Sequence, residues 1–341
     1  GVCLNWGCIP TKALLKNAEV FQTVKKARMF GIEVKNVSVN FKKNVDRSKS
    51  VAKQLSKGIE FLMKKNRITH LTGFGKLETE NNISVFKEGK HKHITAKNII
   101  VATGAKPRTL ENMEIDGKYI IGSKEALSLV KLPKKVIIIG SGAIGCEFAF
   151  YFNSFGAEVE LIEMQKRILP MEDAEISDAL KENFIASGIN VHNNSKVTSI
   201  EKLKTRIRIN IENEKEQTSI NGSLALLAVG VEGNIQNIGL NNVGIKTENG
   251  SISIDGKCQT NVPNIFAIGD VAGPPWLAHK SSAQGHMVAD FINGKIIHEI
   301  DHLNIPSCTY CQPQVGSLGL TESRALELGH SIKVGKFFFR A

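Results

Sequence analysis

Apolar residues return at helical spacing from the start of the chain. Leu14, Leu15, Ala18, Val20, Phe21 and Val24 share a repeating face, which predicts a helix from about Pro10 to Met29. Val51, Leu55, Ile59 and Phe61–Met63 do the same among lysines and predict a basic amphipathic helix over Val45–Lys65. Short runs then predict strands at His70–Gly75, Asn82–Phe86 and His91–Thr95. A buried strand at Asn98–Ala102 stops at Thr103-Gly104. The pattern loosens over Ala105–Glu125, where a domain boundary is expected. It resumes with strand Lys135–Ile139, helix Ala143–Phe155, strand Glu158–Glu163 and helix Ala174–Ser187, then shorter strands to Val229. Strand–helix alternation predicts a parallel sheet with helices on its faces. Strand Asn264–Ile268, a loop through Trp276 and helix Leu277–Asn293 come next, and a last segment runs from Pro306 to the strand-like Ile332–Phe339.

Composition narrows the class. The 341 residues are 42% apolar and 23% charged, an ordinary globular balance with material for two or three domains. That excludes wholesale disorder and a small disulfide scaffold. No run reaches the roughly 18–20 apolar residues of a membrane helix, so no membrane partner is expected. The net charge of +11 reads as a Lys-rich solvated surface. Lysines gather between Lys42 and Lys65 without interleaved aromatics, so no nucleic-acid partner is expected either.

The chemistry begins at Cys3-Leu-Asn-Trp-Gly-Cys8-Ile-Pro-Thr-Lys12. Two cysteines at the mouth of a predicted helix meet unpaired N–H groups and a partial positive charge, and Lys12 adds a full one. All favour thiolate and activate the thiols for exchange. A static disulfide, two buried thiols or a zinc half-site are the alternatives; the last lacks a matching second pair, and no metal site is expected.

A second motif, Gly140-Ser-Gly142-Ala-Ile-Gly145, follows a strand and opens a helix, the context a dinucleotide turn requires. Gly140 permits the turn, Gly142 the approach of a pyrophosphate, and Gly145 close helix–strand packing. Glu163, 18 positions after Gly145, suits a ribose 2′-hydroxyl and repels a 2′-phosphate, which predicts NAD over NADP; Lys166 and Arg167 close behind weaken the preference.

The Cys3–Lys12 segment closely resembles the active-site motif of the class I pyridine nucleotide–disulfide oxidoreductases, flavin-dependent enzymes, and within them the dihydrolipoamide dehydrogenases. The resemblance implies an α/β fold with two Rossmann-like FAD/NAD(P)-binding domains and the beginning of an α+β dimer-interface domain. It implies catalytic roles for four residues. Cys3 is the interchange thiol, Cys8 lies against the flavin, Lys12 sits near the flavin's reactive edge, and Glu147 pairs with Lys12 near the nicotinamide. It also implies that Ile265–Asp270 delivers Asp270 to a ribityl hydroxyl and that Leu277–Lys280 packs under the flavin. Cofactor-facing positions are then Lys12, Thr103, Gly104, Gly140, Gly142, Gly145, Glu163, Gly230, Gly269, Asp270 and Ala278, with FAD and NAD as cofactors. His279 reads as a helix-start polar group, not a base. Cys308 and Cys311 read as packing thiols, and Cys146 and Cys258 as isolated packing or surface residues.

The implied division is 1–118 for the first FAD-binding part, 119–245 for the NAD-binding domain, 246–303 for a central segment returning to the FAD side, and 304–341 for the start of the dimerisation domain. A flavin βαβ unit is expected before Gly1, and most of the interface domain with its His–Glu pair after Ala341, so the polypeptide itself is expected to be a poor catalyst. The implied reaction is oxidation of protein-bound dihydrolipoamide by NAD. The partners would be lipoyl domains of 2-oxo acid dehydrogenase or glycine cleavage complexes and a second copy in a homodimer, in the bacterial cytoplasm or mitochondrial matrix. The competing readings are an NADPH-dependent disulfide or metal-ion reductase of the same fold and a non-catalytic nucleotide-binding fragment.

Overall fold

The computed structural model describes residues 1–338 except 112 and 215. Two helices, α1 (Val2–Trp6) and α2 (Cys8–Lys25), open the chain on either side of Gly7. A third, α3 (Phe41–Lys65), packs along α2. It starts at Phe41 rather than Val45 because the Asn40 side chain accepts the Lys43 N–H and caps it. Strands β1 (Phe74–Leu77), β2 (Asn82–Lys87) and β3 (Lys90–Thr95) form an antiparallel meander, followed by β4 (Ile99–Val101) and β5 (Ala105–Pro107).

The middle of the chain folds back and forth across one sheet. After β6 (Ile120–Ile121) and the short α4 (Ser123–Ala126) come β7 (Lys135–Ile139), α5 (Ala143–Ser154), β8 (Glu158–Ile162), α6 (Ala174–Ala186) and β9 (Ile189–His192). An antiparallel meander, β10 (Lys196–Lys202), β11 (Ile207–Glu212) and β12 (Gln217–Gly222), precedes β13 (Leu224–Leu227), which returns to the sheet. All five strands of that sheet are parallel, in the order β6-β13-β7-β8-β9. Ile139 stands opposite Leu227 on one side and Ile162 on the other, so Gly140 and Glu163 leave adjacent strands at the same carboxyl edge. Chain order reverses between β7 and β13, the place where open α/β sheets bind ligands.

The chain then returns to its beginning. β14 (Val231–Gly233) pairs antiparallel with β5, β15 (Thr247–Glu248) and β16 (Ser251–Ile252) form a hairpin, and β17 (Ile265–Ala267) pairs parallel with β4. Helix α7 (Ala278–Ile292), the hairpin of β18 (Ser307–Thr309) with β19 (Val315–Ser317), and α8 (Glu322–Glu327) complete the described elements.

Core packing shows how these parts meet. Leu14, Leu15 and Ala18 of α2 share one apolar cluster with Phe148, Tyr151 and Phe152 of α5 and with Cys311 and Val315 of the β18–β19 hairpin. Phe148 and Phe152 are almost wholly buried, each worth about 2–3 kcal/mol by transfer. A second cluster joins Leu77, Ile99 and Val101 to Ile238, Leu240, Ile245, Ile252 and Ile265. Ile238, Leu240 and Ile245, on the NAD side of the expected break at residue 245, bury their side chains in the cluster of β4 and β17. No strand forms across 332–338 of the segment expected as a strand over Ile332–Phe339. Phe339 lies outside the described residues.

Candidate functional site

Gly7 makes the first part of the site possible. A side chain there would place its Cβ 2.9 Å from the Cys3 Cα and from the Val2 carbonyl oxygen. Without it the chain folds α1 back against the start of α2, and Cys3 and Cys8 face each other as free thiols that share a hydrogen bond. The pair is electrostatically unequal. The bond to Cys8 lowers the Cys3 thiol most; burial opposes it, but the Cys8 and Ile9 N–H groups at the head of α2 and the charge of Lys12 also stabilise the thiolate, which brings it down to about 6. Cys8 is pushed strongly upward by holding the shared proton and by burial. The expected activation at the helix N-terminus thus falls on Cys3.

Behind the thiols, Lys12 Nζ donates to both carboxylate oxygens of Glu147, at 2.8 and 2.9 Å. Glu147 is 3% exposed on α5, and Lys12 is about one-third exposed on α2. The Tyr310 N–H donates to Glu147 Oε1 at 2.9 Å, and the Tyr310 ring lies 5.0 Å from Lys12 Nζ. Three separate segments therefore converge on one carboxylate. Sequence reading supplied Lys12 and Glu147; the Tyr310 contribution is a backbone N–H, which leaves no signature in residue type.

The glycine turn behaves as its spacing suggests. A Cβ on Gly145 would meet the Gly140 oxygen at 2.0 Å, and one on Gly140, where φ is +96°, would meet the Ala228 oxygen at 2.4 Å. A Cβ on Gly142 would meet nothing within 4 Å, so the open side of the turn has room for a ligand at backbone distance. Glu163 is buried and already employed. Its Oε2 accepts from the Ser141 N–H at 2.9 Å and the Ser141 hydroxyl at 2.7 Å, and its Oε1 accepts from the Gln165 N–H at 2.8 Å. A carboxylate offers about four acceptor positions, so one remains for a ribose hydroxyl. Ser141 was not foreseen, although a hydroxyl between two such glycines is the cue.

The flavin-side residues gather around the β4–β17 pair. Thr103 and Gly104 follow β4, and Asn234 fixes them. The Thr103 hydroxyl donates to the Asn234 carbonyl at 2.8 Å, the Asn234 amide returns a bond to the Thr103 carbonyl at 2.9 Å, and the Asn234 N–H reaches the Gly104 oxygen. Nothing in the sequence marked Asn234. Gly104 and Gly230 both have positive φ and no close obstruction, so this edge too can admit a ligand. Gly269 and Asp270 lie on a single turn after β17, where burial raises the Asp270 carboxyl and the Lys280 charge draws it down. Ala278 opens α7, whose Leu277 N-cap supplies no side-chain acceptor, leaving first-turn N–H groups available. His279 Nε2 donates to the Pro306 carbonyl, 2.9 Å away.

The remaining cysteines divide. Cys146, Cys258 and Cys311 are buried, and burial raises each thiol. Cys308 is exposed, so its reading as a packing thiol is corrected: it sits on β18 where alternation turns it outward. Among the described residues no group of three His, Cys, Asp or Glu side chains could hold a metal ion, and no helix is long and apolar enough to cross a membrane.

Comparison with known proteins agrees with this arrangement. The family model for pyridine nucleotide-disulphide oxidoreductases matches residues 1–285, and that for the dimerisation domain of the same family matches 305–341. The chain is 44% identical over 344 residues to the dihydrolipoyl dehydrogenase of Chlorobaculum tepidum, covering all of this chain and 73% of that protein. It is 44% identical over 359 residues to that of Rhizobium etli, covering all of this chain and 75% of the relative. Among solved structures, LpdA from Mycobacterium tuberculosis superposes with a TM-score of 0.89 over 96% of this chain and 72% of that one, at 24% identity, a likeness of fold. The HOCl-induced flavoprotein disulfide reductase RclA from Escherichia coli gives a TM-score of 0.83 at 26% identity, over 98% of this chain and 72% of its own.

Proposed function

The chain belongs to the pyridine nucleotide-disulphide oxidoreductase family, and from that premise we propose that it is a dihydrolipoyl dehydrogenase, oxidising dihydrolipoamide with NAD as acceptor. The unequal thiol pair beside the Lys12–Glu147 ion pair is the observation that carries this reading.

In the oxidised state Cys3 and Cys8 form a disulfide. One thiolate of dihydrolipoamide attacks Cys3, the Cys3–Cys8 bond breaks, and a mixed disulfide forms. The second thiol closes the lipoamide ring and releases Cys3. Two electrons and two protons have then passed to the cysteines. The α2 N-terminus and Lys12 stabilise negative charge on this pair as it develops. Glu147 holds Lys12 in place, and the Tyr310 N–H holds Glu147. When bound, FAD and NAD would supply the electron-accepting and hydride chemistry that the thiols lack. For FAD, Asp270 would accept from a ribityl hydroxyl and Ala278 would offer its N–H, with Thr103, Gly104, Gly230 and Gly269 lining the approach, where Gly104 and Gly230 have no close obstruction. For NAD, the Gly140–Gly145 turn would receive the pyrophosphate at the head of α5, and the open acceptor of Glu163 would take the ribose hydroxyl. The match over 305–341 fits a homodimer. Lipoyl domains are the proposed protein partners, and the bacterial relatives favour a bacterial cytoplasm.

The deciding experiment is a visible spectrum of the purified protein with FAD, before and after one equivalent of dithiothreitol, followed by titration with NADH and with NADPH. A flavin band that gains a long-wavelength thiolate shoulder, with tighter binding of NADH, is the expected result. A flavin unaffected by dithiol, or preference for NADPH, overturns the assignment.

A further inference from the structure

Helix α7 carries two buried polar side chains one turn apart, both directed at the turn that follows β17. Lys280 is 1% exposed, and its ammonium donates to the Gly273 carbonyl at 2.7 Å and the Gly269 carbonyl at 3.3 Å. Gln284 is 3% exposed and accepts the Gly269 N–H at 2.8 Å. Both polar groups of Gly269 are thus bound by α7, and the turn they fix is the one that bears Asp270. A buried ammonium is costly unless its donors and its charge are answered. Here the carbonyls answer the donors, and Asp270 answers the charge. The dependence is mutual: burial lowers the Lys280 ammonium while Asp270 raises it, and burial raises the Asp270 carboxyl while Lys280 lowers it. Hydrogen bonds confined to the protein need no such cation, since Gln284 shows that a neutral amide suffices at the same turn.

We propose that Lys280 is a positioning residue of the flavin side: its ammonium clamps the Gly269–Gly273 turn and keeps Asp270 set as the carboxylate acceptor for a polyol hydroxyl of the cofactor. The proposal rests on the reading of this turn as part of the FAD site. Lys280 touches the turn and not the ligand, so its effect passes through Asp270.

The test compares the wild-type protein with Lys280→Met, Lys280→Gln, Asp270→Asn and the double variant Lys280→Met/Asp270→Asn. Three quantities are read: amide hydrogen exchange over 269–273, the FAD dissociation constant, and NADH affinity as a check on the parallel-sheet half. In Lys280→Met, exchange over the turn should rise about tenfold and FAD affinity fall by about 10- to 100-fold, the range for a lost charged hydrogen bond, with NADH affinity unchanged. Lys280→Gln keeps a donor without the charge, so it should preserve exchange protection and still weaken FAD. In the Asp270→Asn background the further loss on removing Lys280 should shrink to about threefold or less, the non-additivity expected of coupled groups. Full additivity with Asp270→Asn, or unchanged exchange and FAD affinity in Lys280→Met, overturns the proposal. Should Lys280→Met fail to fold, the Lys280→Gln pair decides by the same criterion. A wild-type protein that ignores FAD while Lys280→Met still loosens the turn overturns the flavin reading and leaves the clamp standing.

Discussion

The parallel sheet around Gly140 and the β4–β17 pair around Asp270 do similar work by different means. Each ends strands in a loop that can receive a nucleotide. In the sheet, everything the loop needs is nearby in the chain: β7 runs into Gly140, and the turn runs into α5. Glu163 reaches in from the end of the neighbouring strand, and the Leu169 N–H binds the Ser141 carbonyl. On the flavin side, β4 must find β17, Thr103 must find Asn234 at a separation of 131 residues, and Asp270 depends on α7. The first loop is a local motif, while the second is a product of tertiary packing. The redox pair combines both, since Cys3 and Cys8 are five positions apart but Lys12 takes its partner from α5.

The largest break between the regions comes from the thiols. Cys3→Ser should lower dihydrolipoamide oxidation by at least about a thousandfold, as removal of a nucleophile does, and leave NADH affinity untouched. Parallel loss of NADH binding in that variant would mean the two regions are not separable. Gly145→Ala attacks the local motif. With a Cβ 2.0 Å from a carbonyl oxygen, it should cost about 3 kcal/mol in urea unfolding. Gly142→Ala is the sharper control: no atom obstructs it, so stability should hold while NADH affinity drops by about tenfold. Wild-type affinity in Gly142→Ala would move the pyrophosphate elsewhere.

Smaller effects probe the junction. Glu147→Gln leaves Lys12 without its ion partner, and because Lys12 is partly exposed the loss should be about 1–2 kcal/mol, read by chemical denaturation. The finest measurement is pH-dependent alkylation of the reduced protein. With Cys3 titrating at about 6, its thiolate fraction falls from about nine-tenths at pH 7 to about half at pH 6, so its rate should halve over that unit. Cys8, pushed upward, should remain unreactive through the same range. A single midpoint in the ordinary thiol range for both cysteines would refute the unequal pair.

The same division explains what could be read from residue order. The Gly140–Gly145 turn, its strand and its helix were legible within a residue at their ends, because each constraint is a spacing. The Cys3–Lys12 motif was legible as chemistry. Its internal geometry was not, since the break of α1 from α2 hinges on a close approach at Gly7 that spacing does not encode. The bonds of Asn234 and Tyr310 stayed invisible because each uses a backbone group across a separation of 131 or 163 residues. The resemblance singled out the Leu277–Lys280 segment, but the burial of Lys280 was not legible: lysines default to the surface, and only tertiary packing buries this one. Ile238, Leu240 and Ile245 bear no mark in the sequence of which core they join.

The convergence on Glu147 also sets an order of events during folding. Its two partners lie 135 and 163 residues away, so the carboxylate is answered only after very large loops have closed. Helix α5 with its flanking strands β7 and β8 can form from contacts much closer in sequence before that. The Lys12–Glu147–Tyr310 contact is therefore a late step, and chains that have folded every element correctly still await it. In refolding experiments, recovery of the Cys3 thiolate should trail recovery of helical signal and NADH binding, making this ion pair a clock for completion of the native state.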